Sequence, residues 1–255
     1  MKKLFIYISC CLLWSCNQNL PAGDEPEEPQ DECAFAQSWD YPVKPGTEEW
    51  KEYKNSGEMI DACQIPEDVL FCLTTDNLTE LCLQYPLLYD VLAFNNLNDG
   101  LSRLFDNFNG MRELSKRENA VNNLLSHYLL EIQSFPDKVS NSTDLDIGYS
   151  IMHISTLEIL LSYSELHGNS SKETLKKVLK SLLIGYQEKH NYSKYFRWSG
   201  FAHNVFARVH IILQIDPALS ELFNEEYNYS VLAGGRWADI ETLNTIDSLS
   251  YKLIK

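Results

Sequence analysis

The stretch Tyr192-Ser193-Lys194-Tyr195-Phe196-Arg197-Trp198-Ser199-Gly200-Phe201-Ala202-His203-Asn204 concentrates flat rings around a cation, an imidazole and an amide. Tyr195, Arg197, Trp198, His203 and Asn204, placed around a helix start, suit a ligand or sugar surface where rings stack and a few polar groups orient the guest. The same spacing fits a plainer role, with Phe196, Trp198 and Phe201 anchoring the helix in the core and Arg197 facing water. A deep polar pocket here with two converging titratable groups would make the protein a hydrolase acting outside the cytoplasm.

Spacing limits the other chemistries. The six histidines, His127, His153, His167, His190, His203 and His210, form no HExxH, and none has a second histidine three or four residues away. His203 and His210 share a helix face but lie about 10.5 Å apart along the axis, too far to hold one metal ion without further ligands. Asp106-Asn107-Phe108-Asn109-Gly110 invites a calcium-loop alignment, which puts Phe105 and Lys116 where carboxylates are needed. Asn109-Gly110 reads instead as the turn after a helix. No GxSxG, GxGxxG or Walker A motif occurs. Neither a metal nor a cofactor is expected.

Cys16 carries a different chemistry. Lys2 and Lys3 form a short basic head, Leu4 to Trp14 an apolar run broken by Ser9, and Leu13-Trp14-Ser15-Cys16 follows. The run is too short for a membrane-spanning helix, which needs about 20 residues. It resembles a bacterial lipoprotein signal, with Leu13 three before the cysteine and Trp14 where a smaller residue is usual. Residues 1–15 would be a leader, and Cys16 the lipid attachment site that ties the protein to a membrane.

The chain has 255 residues and a net charge of −15, from 21 Lys and Arg against 36 Asp and Glu. Losing Lys2 and Lys3 makes the balance more acidic still, which disfavours nucleic acid as a partner. Four cysteines remain beyond Cys16: Cys33, Cys63, Cys72 and Cys82. In an oxidising compartment they allow up to two disulfides in three pairings. Alternatively, Cys63, Cys72 and Cys82 are small buried apolar residues of helices.

Residues 16–40 read as a disordered acidic tether, with Pro21, Gly23, Pro26 and Pro29 among mutually repelling carboxylates. About 24 such residues reach on the order of 70 Å when extended. Beyond it the periodicity is helical throughout. Thr47 caps a helix starting Glu48-Glu49, Pro66 starts another, and Thr75 or Asp76 a third ending before Pro86. Leu87 to Asn95 is a short apolar helix, and a long one runs from Met111 or Arg117 to Phe135. Residues 136–144 form a polar loop and the best internal boundary, separating sub-modules 41–135 and 145–255. Ile147, Ile151, Ile154, Leu157 and Leu161 mark the next helix, and Ser170 with Glu173 a capping box for the one after. Trp198 to Ile212 and a final helix opened by Asp239 after the Gly234-Gly235 turn complete the set. Residues 41–255 are thus expected to be all-α, an irregular multi-helix bundle or a short α-solenoid of antiparallel helical hairpins.

One region supports a family resemblance. Its residues are Tyr41-Pro42-Val43-Lys44-Pro45-Gly46-Thr47-Glu48-Glu49-Trp50, Glu58-Met59, Cys63-Gln64-Ile65-Pro66, Leu81-Cys82-Leu83, Tyr85-Pro86-Leu87, Ala93-Phe94-Asn95, Phe108-Asn109-Gly110 and Glu113-Leu114. As a set they resemble an uncharacterised family of Bacteroidetes secreted proteins and lipoproteins, over about residues 41–125. The resemblance implies a helical fold and a place in the cell envelope, and no activity. The acidic run also looks like the export signals that send lipoproteins of these bacteria to the outer surface of the outer membrane. Asp247-Ser248-Leu249 looks like their short O-glycosylation motif. The expectation is a non-catalytic, lipid-anchored module that binds a protein or a glycan.

Overall fold

The structure, a computed structural model, describes residues 33–168, 170–223 and 240–255. Cys16, the leader, the acidic run up to residue 32, Gly234-Gly235 and Asp239 lie outside the described residues. Among the described residues every regular element is helical, and the architecture is an all-α multi-helix bundle.

The N-terminal part is a run of short helices. α1 (Ala34–Gln37) is followed by α2 (Glu48–Lys51), α3 (Ser56–Ala62), α4 (Glu67–Cys72) and α5 (Thr75–Leu83). Their starts follow from side-chain oxygens: Thr47 accepts from the Trp50 amide, Asn55 from Glu58 and Thr74 from Asn77. A 3-10 helix at Leu88–Ala93 precedes α6 (Leu97–Asn107) and α7 (Asn109–Leu114). Asn109-Gly110 is therefore the start of a helix, not the turn expected there. Phe108 alone separates α6 from α7, in an extended conformation, and its buried ring lies against Gly110 where any Cβ would clash.

Long helices form the second part: α8 (Ala120–Asn141), α9 (Asp144–Ser162), α10 (Lys172–Asn191), α11 (Ser193–Ile215) and α12 (Ile240–Leu253). α9 is apolar on every side, burying Ile147, Ile154, Leu157, Ile159, Leu160 and Leu161, which marks it as the central helix. It packs between α8 and α11 and also touches the 3-10 helix and α6. α10 and α12 close the bundle against α11. Thr143 and Asp146 form a reciprocal capping box at the start of α9.

Three expectations need correction. Of the loop proposed for residues 136–144, only Ser142 and Thr143 lie outside helices, because α8 continues through Pro136 to Asn141 and α9 begins at Asp144. A proline inside a helix costs about 3 kcal/mol. Here the turn beyond it is held from outside: Val139 packs on the core, and Lys138 donates to Glu131 on its own helix and to Ser150 on α9. The core accordingly runs as one cluster from Ala36 to Ile246 across the supposed boundary. The cap of α10 is Ser171, accepting from Thr174, and not Ser170 with Glu173. Residues 33–40, expected to be part of a disordered tether, belong to the fold instead. Cys33 is disulfide-bonded to Cys72, which fastens α1 to the end of α4, and Ala36 and Tyr41 are buried. Of the three cysteines read as buried apolar residues, Cys63 and Cys82 are so, while Cys72 is cross-linked.

Candidate functional site

α11 carries the aromatic stretch, and the helix is interrupted inside it. Arg197 has φ 49° and ψ −167°, the one non-glycine among the described residues with positive φ. Such a conformation costs about 1–3 kcal/mol and needs support from its surroundings. Support comes from Phe196 and Phe201, both buried on either side of the break, with Gly200 seated against the Phe196 side chain. The break turns Arg197 and Trp198 outward, leaving Trp198 61% exposed. Tyr195 is half-buried, edge-on to Phe135, with the Lys194 ammonium over its ring. His203 is largely enclosed, its Nδ1 has no hydrogen-bond partner, and burial together with the Lys189 charge pushes its pKa down to about 4. Asn204 is fully buried. The five candidate residues therefore do not converge: two face solvent, two flank the helix, and Asn204 faces the interior.

What Asn204 meets is a cluster that the sequence reading did not pick out. Its amide nitrogen donates to Glu158 Oε1 on α9 at 2.7 Å and to the Leu182 carbonyl on α10 at 3.0 Å. The Tyr128 hydroxyl donates to the same Oε1 at 2.8 Å, and Lys189 Nζ lies 2.5 Å from Glu158 Oε2. Lys189 also donates to the Gly200 carbonyl at 2.8 Å. Arg208, buried on α11, lies over the Tyr186 ring and donates to Asp247 of α12 at 2.6 Å. Asp247, read from sequence as part of a glycosylation motif, is thus an ion-pair partner inside α12. Burial pushes Lys189 toward its neutral form against the pull of Glu158, and raises Tyr128 well above its ordinary value. Gly185 is obligatory beside this cluster, because a Cβ there would overlap the Tyr128 hydroxyl.

The signal for these residues was present but weak. Glu158 interrupts the apolar run of α9, and Lys189 follows Leu182 and Tyr186 on the buried face of α10. Exposed charges on amphipathic helices are so common that such positions do not stand out. The space beside Lys189 is a void of about 10 Å³, bounded by Phe135 and Phe196 among others, which holds one water at most.

An accessible site lies elsewhere, between α3, the 3-10 helix and α6. It is a half-open cleft of about 440 Å³, within the range of small-ligand pockets. Ile60, Leu87, Val91, Phe94 and Leu104 give it apolar walls, and Asp90 and Arg103 stand at its edge. Desolvation raises the Asp90 carboxyl while the Arg103 charge pulls it back down. α6 approaches the 3-10 helix closely because Gly100 has no side chain: a Cβ would lie 2.8 Å from the Val91 carbonyl oxygen.

The two walls are braced by a pair of side-chain amides. Gln64 Nε2 donates to the Ile60 carbonyl at 2.8 Å and to the Asn107 carbonyl at 2.9 Å, joining the end of α3 to the end of α6. Gln64 Oε1 accepts from the Asn109 amide. The Asn109 side chain in turn accepts from the Ile65 N–H at 3.0 Å and donates to the Ile65 carbonyl at 2.7 Å. Beneath the brace, Tyr85 stacks on Phe108 with centroids 3.9 Å apart, and the Tyr41 hydroxyl donates to the Leu81 carbonyl. The residues quoted above as a distinctive set thus include those that hold the cleft in shape.

No family model, no curated protein and no solved structure matches this chain. Among the described residues no three His, Cys, Asp or Glu side chains gather to hold a metal ion, and no helix is long and apolar enough to cross a membrane.

Proposed function

We propose that the protein is a lipid-anchored binding module of a bacterial cell envelope, taking an apolar group of its partner into the cleft between α3 and α6. The observation that carries this reading is the cleft itself: preformed, braced by Gln64 and Asn109, open to solvent and lined mainly by aliphatic and aromatic side chains. A braced pocket binds without the cost of ordering its walls. Its lining favours a protein partner's apolar side chain over a glycan, with Arg103 and Asp90 available to charged groups beside it. A dye with an apolar ring system and a sulfonate, anilinonaphthalene sulfonate, tests the site. It should bind saturably to the full chain, and Ala93→Trp, which fills the cleft from an exposed lining position, should weaken binding at least ~10-fold. Equal binding to both proteins would remove the cleft from consideration.

The envelope part of the proposal rests on Cys16 and the acidic run behind it, on the family resemblance, and on the Cys33–Cys72 disulfide, a bond favoured in oxidising compartments. The acid-rich segment would carry the domain off the membrane, at the outer surface of the outer membrane. Radiolabelled palmitate should enter the wild-type protein and not Cys16→Ser, and protease added to whole cells should cleave the domain. Equal labelling of both would sink the anchor; full protection of intact cells would sink the surface placement.

A further inference from the structure

Glu158, Lys189 and Asn204 are three fully buried side chains from three helices that meet at one carboxylate. Both nitrogens lie within one hydrogen bond of a single carboxylate, Lys189 Nζ at 2.5 Å from Oε2 and Asn204 Nδ2 at 2.7 Å from Oε1. Lys189 reaches further, to the Gly200 carbonyl, which lies one helical turn before Asn204 on the same helix. The Asn204 amide is held through its nitrogen, the leaving group, while its carbonyl oxygen is buried with no hydrogen-bond partner. We propose that Lys189 and Asn204 form an intramolecular amide cross-link between α10 and α11, with Glu158 as the proton carrier.

The steps balance without any outside reactant. Lys189 first gives a proton to Glu158, leaving a neutral amine as the nucleophile, because burial disfavours the charged ammonium. The direction of the Lys189 shift agrees with this, and the Arg208 charge adds to it. Nζ then adds to Asn204 Cγ, forming the new C–N bond. Glu158 delivers its proton to Nδ2 and takes one from Nζ. The Cγ–Nδ2 bond breaks, and nitrogen leaves as ammonia. One C–N bond forms and one breaks, and nothing is oxidised or reduced. Positioning supplies the rate, since one buried carboxylate holds the amine on Oε2 and the amide on Oε1. Tyr128, hydrogen-bonded to the same carboxylate oxygen, is a positioning residue that fixes the Glu158 rotamer.

The product would staple the hairpin of α10 and α11 by a bond that reductants do not break. It also explains the placement of charged groups at a point where apolar side chains would pack at lower cost. Beyond the cleft and independent of it, the cluster would be a self-modification site.

Intact mass of the full chain, compared between wild type and variants so that any lipid cancels, tests the proposal. The wild type should be lighter than its sequence requires by one ammonia, about 17 Da. Lys189→Met and Glu158→Gln should each show their full sequence mass. Asn204→Asp should cross-link by losing water and so reach the same mass as the wild-type product. Trypsin should release peptides 181–194 and 198–208 joined together from the wild type. A wild-type mass equal to the sequence, or an ammonia loss that maps to any other residue, overturns the proposal. The wild-type measurement decides even where a variant does not fold.

Discussion

Breaking the Cys33–Cys72 bond gives a stability change that can be worked out from the chain. The two residues are separated by 39 positions. On the chain-entropy description, closing a loop of that size removes about 4 kcal/mol of unfolded-state freedom at 25 °C. α1 has four residues and buries Ala36, so it has little of its own to hold it in place once the bond is gone. Partial release of α1 in the native state returns some of that freedom, which sets the expected loss at about 2–4 kcal/mol. With a urea slope of about 2–3 kcal/mol per molar, the midpoint should fall by roughly 0.7–2 M. The assay is urea denaturation of the full chain followed by far-ultraviolet circular dichroism, oxidised and reduced, alongside the Cys33→Ser/Cys72→Ser double variant. Reduced wild type and double variant should coincide. Thiol alkylation provides the chemical control. In the unfolded, unreduced protein Cys63 and Cys82 should be labelled, and Cys33 and Cys72 only after reduction. In the folded protein burial protects both thiols, pushing the Cys63 pKa up to about 11 and that of Cys82 higher still. Unchanged midpoints on reduction, or labelling of Cys33 and Cys72 without reductant, would refute the reasoning.

Two further outcomes follow from particular contacts. Asn109→Ala leaves the N–H and carbonyl of Ile65, a residue 1% exposed, without their partners; stability should fall by about 2–3 kcal/mol and dye affinity should drop with it, both read by titration. His203 has a folded-state pKa near 4 against about 6.5 when unfolded. Below pH 6.5 the unfolded chain therefore takes up a proton that the folded chain refuses until about pH 4. Stability is unaffected by this group above pH 6.5 and falls through that window, by up to about 3 kcal/mol. Urea midpoints at pH 7 and pH 4.5 should draw together in His203→Gln relative to wild type.

Helical character was legible because periodicity and caps are local. The Thr47 cap, the helix start at Pro66 and the apolar spacing of Ile147, Ile154, Leu157 and Leu161 all sit where pattern places them. Pro136 misled because a proline's local preference was overruled by Lys138, Glu131 and Ser150, which are brought together by packing. Asn109-Gly110 misled because glycine was needed to admit the Phe108 ring, not to make a turn. Cys72 found its partner through the docking of α1 on α4, a contact of distant segments. At the site, sequence composition led to Asn204 but not to its partners, since Glu158 and Lys189 carry charges that usually face water. The cleft was missed for the opposite reason. Val91, Phe94 and Leu104 are apolar residues of the kind that usually packs inside, and only their arrangement around Gly100 and the amide brace leaves them lining a cavity.

Chemical-shift mapping tests the central claim most directly. Isotope-labelled full chain is titrated with anilinonaphthalene sulfonate while its backbone amide resonances are followed. Saturable shifts should concentrate at Val91, Ala93, Phe94, Gly100 and Leu104, with residues 192–204 unmoved. Shifts centred on Trp198 and His203, or scattered with no saturation, would contradict it.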